Sequence, residues 1–161
     1  CRTLDESTRT RRITTGEPHA IRLDVAACLR TLPTPLDGFL ELGQGPGGES
    51  GLIAPRPDML GDIVLGRRDV GVSYHLAVVI DDHDQGVTLV TRGEDLFAAT
   101  HVQRLLQSVL GFSAPRYRHH PLVRDASGRR LAKRDQAQTL AALRESGLSP
   151  AAVRDRLRFN Q

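Results

Sequence analysis

An α/β fold is predicted for this chain by three features. Strand-like and helix-like segments alternate along it, the helices carry start and stop residues, and the strands end in polar tips, where open sheets bind ligands. Segment 20–25, AIRLDV, alternates apolar and charged residues as a half-buried strand does. Residues 32–57 are dense in Gly and Pro and read as loop. GDIVLGRR, 61–68, returns to strand character, with Ile63, Val64 and Leu65 between turn residues. SYHLAVVIDD, 73–82, reads two ways: its β-branched residues favour a strand, whereas Ser73 and Gly86 would frame a helix. VTLVTRGED, 87–95, is a predicted strand whose end, RGED, projects from the sheet. Thr100 is placed as the cap of a helix in which Val102, Leu105, Leu106 and Val109 fall at helical spacing before Gly111. A strand over 118–123 follows, then a glycine-led basic loop, then two helices, QAQTLAALRES and SPAAVRDRL. Gly147 ends the first; Ser149 caps the second, with Pro150 in its first turn.

Composition narrows the function classes. With 161 residues, 39% of them hydrophobic, the chain can bury an ordinary core in one or two units. No segment approaches the roughly 20 uninterrupted apolar residues of a membrane span, and CRTLDESTRTRR is too polar for a signal peptide's apolar region. No membrane partner is expected, and a cytoplasmic location is. Cys1 and Cys28 are too few and too far apart for a disulfide framework or a self-sufficient zinc site. Formal charge is only +3, yet all but one of the 22 cationic side chains are arginine, whose fork grips two phosphate oxygens at once. Arginine also rises with genomic GC content, so composition leaves nucleic-acid contact open.

The loop GRRLAKRD, 128–135, crowds Arg129, Arg130, Lys133 and Arg134 together. On charge alone such a cluster is a solvated face. Placed after a strand and the turn DASG and before a helix, it can instead close over polyphosphate, where a lysine's point charge acts on a leaving pyrophosphate. DDHD, 81–84, has metal-ligand residue types, but consecutive side chains diverge on a helix or strand, and no metal is expected there. His119 and His120 read either as strand-end histidines satisfied by backbone or as neighbours of a nucleotide.

RRLAKRD resembles the KMSKS-type loop of class I aminoacyl-tRNA synthetases in its KLSK or KLAK form. GDIVLGRRD, SYHLAVVIDDHDQGVTLVTRGEDL, THVQRLLQSVLG and PRYRHHPLV are similar, in order and spacing, to the second half of the catalytic domain of glutamyl-tRNA synthetases and their shorter paralogues, the glutamyl-queuosine tRNA(Asp) synthetases. The similarity covers about residues 18–158. The ordinary synthetase usually reads KLSKRHG and continues into anticodon-binding helices, whereas RLAKRDQAQTLAALRESGLSPAAVRDRL, YRHHPLV and SYHLAVV sit closer to the paralogue.

The resemblance implies the second half of a Rossmann-like nucleotide-binding catalytic domain. Its expected organisation is an insertion or acceptor-type subregion with the Gly/Pro-rich loop over 1–60, the nucleotide-binding half ending in the KMSKS-like loop over 61–135, and C-terminal helices over 136–161. It implies ATP-dependent activation of glutamate, with Mg2+, and transfer to the queuosine base of tRNA(Asp); a monomer is expected. Tyr74 and Arg92 match positions that contact glutamate; a phenol can orient a carboxylate and a guanidinium can pair with it. Lys133 matches the ATP-binding second lysine of the loop and is the expected catalytic residue, with Arg130 in the first lysine's place, Ala132 in the serine's, and Leu131 and Arg134 completing the loop. Cys1 matches a cysteine that helps hold zinc in relatives, whose partner cysteines would lie upstream. The HIGH-type motif, which belongs to the first half of the fold, does not occur in this sequence. The chain is therefore expected to be a carboxyl-terminal portion that activates glutamate poorly alone. The alternatives are a fragment of an ordinary glutamyl-tRNA synthetase and an inactive tRNA-binding relic.

Overall fold

The computed structural model describes residues 3–69, 71–124, 128 and 139–156, the last without its side chain. Helix α1 (Glu6–Thr14) starts at Asp5, whose carboxylate accepts from the Thr8 amide at 2.8 Å. Strand β1 (Ala20–Leu23) follows where alternation predicts it. Asp24 then caps α2 (Val25–Thr31), accepting from the Ala27 amide at 2.9 Å. Apolar spacing does not announce these two helices: α1 buries nothing and α2 buries Val25 alone.

The segment expected to be loop contains two strands, β2 (Phe39–Glu41) and β3 (Gly51–Ile53), paired antiparallel with Phe39 opposite Ile53. They are too short to show a period of two. Pairing and the burial of Phe39, 1% exposed, form them where propensity does not. Strand β4 (Ile63–Arg67) and the short β5 (Gly71–Val72) come next. The ambiguous run is helix α3 (Tyr74–Asp84), with Ser73 Oγ accepting from the Leu76 amide. Strand β6 (Leu89–Gly93) leads through a 3-10 turn, Glu94–Leu96, into α4 (Phe97–Leu110). That helix begins at Phe97, so Thr100 is not its cap; it lies within the helix with no exposed surface. Gly111, at φ 72°, supplies the left-handed residue that ends α4. Strand β7 (Arg116–His120) starts earlier than expected, and α5 (Leu140–Glu145) and α6 (Pro150–Arg156) fall inside the predicted helical segments.

Among the described residues the strands form two sheets. One is antiparallel, in the order β1-β4-β5; the other has the order β3-β2-β7-β6, with β2–β7 and β6–β7 parallel. Strand β6, helix α4 and strand β7 thus make a β-α-β crossover, the connection that parallel neighbours require. Helix α4 buries most of its circumference. Val102, Leu105 and Leu106 join Val25, Ile63 and Val79 in one apolar cluster; Phe97 joins Phe39 and Tyr117 in another. Leu105 is 0% exposed, and burial of one such side chain stabilises by roughly 1.5–3 kcal/mol.

Candidate functional site

The parallel strands β2, β6 and β7 point their carboxyl ends the same way and bring Glu41, Arg92 and His119 to one edge. Arg92 and His119 are register partners on adjacent strands, so their side chains leave the same face. Burial alternates along β7, with Tyr117 and His119 turned inward beneath α4, and Glu41 occupies the matching inward position on β2. This is the edge at which open α/β sheets bind ligands.

Arg92 is held firmly. Its Nε donates to His119 Nε2 at 3.1 Å, one terminal nitrogen donates to Thr100 Oγ1 at 2.5 Å, and its guanidinium carbon lies 5.4 Å from the centre of the Tyr117 ring. Behind it, the His119 ring nitrogen Nδ1 meets Glu41 Oε2 at 2.5 Å, while the backbone amides of His119 and Gly43 donate to Glu41 Oε1 at 2.9 and 2.8 Å. The Glu41 and His119 side chains have no exposed surface. Burial pushes His119 below the ordinary histidine range, and the charges of Arg92 and His120 add to that against the opposing pull of Glu41.

Tyr74 stands in the first turn of α3, half exposed, its ring 5.9 Å from that of His75. His75 is also lowered, first by burial and then by Arg92, so the start of α3 lies within the field of that guanidinium. Lys133, Arg130, Leu131, Ala132 and Arg134 lie outside the described residues, as does Cys1. Gly128, which leads the loop, has φ 79° and its carbonyl accepts from Arg124 at 3.0 Å.

The remaining sequence candidates have other partners. His83 of DDHD stacks on Phe112 with centroids 3.7 Å apart, and burial raises the carboxyl of Asp82 against the opposing effect of Arg92. Among the described residues no group of His, Cys, Asp and Glu is arranged to hold a metal. His120 has its ring beside the Pro121 carbonyl, 3.0 Å away, but His119 is satisfied by side chains, which corrects the backbone reading. Sequence reasoning missed Glu41 and read Thr100 only as a helix cap, not as a partner of Arg92. The signal for Glu41 was the pair of alternating triplets FLE and YRH, in which a polar residue takes the inward position after an aromatic.

A mixed sheet whose three parallel strands carry a fixed arginine at their carboxyl edge defines an α/β protein of the open-sheet kind. The family described as tRNA synthetases class I (E and Q), catalytic domain, matches residues 50–159, and the chain belongs to it. It is 48% identical over 138 residues to the glutamyl-Q tRNA(Asp) synthetase of Rhodobacter capsulatus, covering 83% of this chain and 46% of that relative. With the glutamyl-Q tRNA(Asp) synthetase of Nocardia farcinica it shares 39% identity over 153 residues, 95% of this chain and 44% of the relative. The chain thus spans under half the length of these two relatives. The crystal structure of the glutamate-tRNA synthetase from Elizabethkingia anophelis superimposes with a TM-score of 0.60 and 26% identity, over 83% of this chain and 25% of that one. No helix among the described residues is long and apolar enough to cross a membrane.

Proposed function

We propose that this chain contributes the second half of an active site that activates glutamate with ATP, in the presence of Mg2+, and transfers it to tRNA, with the queuosine base of tRNA(Asp) as acceptor. The observation that carries the reading is the guanidinium of Arg92 at the carboxyl edge of the parallel strands. Both acceptors that hold it, His119 Nε2 and Thr100 Oγ1, are uncharged, and Asp82 acts on it through space without a hydrogen bond, which leaves the guanidinium able to pair with an anionic ligand. In this reading Arg92 pairs with a glutamate carboxylate, and Tyr74, at the start of the neighbouring α3, orients the amino acid by its hydroxyl. Lys133 supplies the cation that stabilises charge building on the departing pyrophosphate, within the loop formed by Arg130, Leu131, Ala132 and Arg134. The relatives named for tRNA(Asp) support the acceptor assignment.

The test is a charging assay of the full-length gene product with radiolabelled glutamate. Queuosine-containing tRNA(Asp) should accept label, and tRNA(Asp) lacking queuosine should not. Label on the acceptor end of tRNA(Glu) would instead assign an ordinary glutamyl-tRNA synthetase, and no label on any tRNA would leave a tRNA-binding relic.

A further inference from the structure

We infer that Glu41 and His119 are positioning residues that fix Arg92 and thereby set the preference for glutamate over its amide, glutamine; this rests on the reading that Arg92 receives the glutamate carboxylate. The inference follows from the donor and acceptor inventory of a chain of side chains drawn from three strands. Arginine Nε–H can only donate, so the His119 Nε2 that lies 3.1 Å from it must be the unprotonated ring nitrogen. The ring proton then sits on Nδ1, aimed at Glu41 Oε2 at 2.5 Å. Glu41 is ideal for selecting that tautomer because a carboxylate can only accept, and its other oxygen is already held by the amides of Gly43 and His119.

The arrangement separates orientation from neutralisation. A carboxylate placed directly at position 119 would hold Arg92 but would pair with its charge and compete with an acidic ligand. A neutral imidazole holds the same nitrogen and leaves the guanidinium cationic, while the buried anion that locks the ring stands one residue further back. Thr100 completes the clamp with a neutral oxygen on a second nitrogen, leaving Nη1 outside both bonds. An incoming carboxylate gains an ion pair on top of the hydrogen bond there, whereas an amide oxygen gains only the hydrogen bond from the cationic donor. Replacing Glu41 by glutamine would present an amide donor toward Nδ1 and favour the other tautomer, whose Nε2–H would face the Nε–H of Arg92.

The experiment uses the full-length gene product. In the wild type, 15N spectra of the imidazoles near neutral pH should show His119 protonated at Nδ1 alone; a ring protonated at Nε2, or at both nitrogens, would overturn the inference. Calorimetric titration with glutamate and with glutamine should then show the ratio of the two affinities falling about tenfold in Glu41→Gln, with the tautomer changed; an unchanged ratio would overturn it. Should Glu41→Gln fail to fold, His119→Asn carries the affinity arm, since it keeps a donor toward Glu41 and removes the acceptor for Arg92; the same loss is expected, and an unaltered ratio again overturns the inference. Arg92→Ala separates the underlying reading. If it binds glutamate as the wild type does, Arg92 is not the glutamate contact and the inference falls with that reading. If it loses glutamate while the Glu41 and His119 variants keep their selectivity, the positioning role alone fails.

Discussion

The side-chain amide of Gln107 donates to the hydroxyl of Tyr117 at 2.9 Å, tying α4 to β7 beneath the site. Gln107 is 3% exposed, and its Oε1 has no hydrogen-bond partner. Tyr117→Phe would therefore leave the amide buried with its remaining bond gone. The expected cost is about 1–3 kcal/mol, read as a lower urea midpoint. Adding Gln107→Leu to the Phe variant should recover much of the loss, because both ends of the pair are then apolar.

Gly43 is fixed by proximity. A Cβ at that position would stand 2.2 Å from the His119 carbonyl oxygen, which is backbone and cannot swing aside. Gly43→Ala should force β2 away from β7 and disturb Glu41, whose Oε1 accepts from the Gly43 amide. A loss of roughly 1–3 kcal/mol is expected, together with weaker glutamate binding. Wild-type values for both in this variant would show that the strand ends can part without harm.

The basic loop and the arginine should separate kinetically. In the full-length gene product, Lys133→Ala is expected to lower glutamate-dependent ATP–pyrophosphate exchange about 100-fold with little change in glutamate affinity. Arg92→Ala should instead raise the glutamate concentration needed for half-maximal exchange most strongly. Unchanged exchange in Lys133→Ala would reject its assigned role.

Acid should destabilise the fold before the carboxylates titrate. Burial is the largest cause lowering each of His75, His101 and His119, so the unfolded chain binds more protons than the folded one below about 6.5. Their contribution is complete above that pH and is lost as pH falls from there through the folded values. The urea midpoint is expected to be lower at about pH 6 than at about pH 7.5. A midpoint that rises on acidification over this interval would contradict the neutral, buried state of these rings.

Much of the fold was legible because its longer elements state their periods. Val102, Leu105 and Leu106 announce α4, Ile63 announces β4, and Gly111 and Gly147 mark helix ends. The short strands at Phe39 and Gly51 were hidden, since three residues carry no measurable period and their stability comes from partners distant in sequence. Thr100 misled as a cap because Ser and Thr before an apolar run suit both a helix start and an inward-facing hydroxyl. At the site, Tyr74 and Arg92 stood out through motif resemblance. Glu41 did not, because its significance lies in contact with His119, 78 positions away.

Helix α4 gives phenylalanine 97 to one apolar cluster and leucines 105 and 106 to the other. It is therefore shared property of both sheets, and neither can loosen without disturbing the same rod. Cooperativity follows from that sharing: thermal damage begun at the antiparallel side is transmitted to the arginine clamp, and occupancy of the clamp by an anion would slow amide exchange along the whole helix.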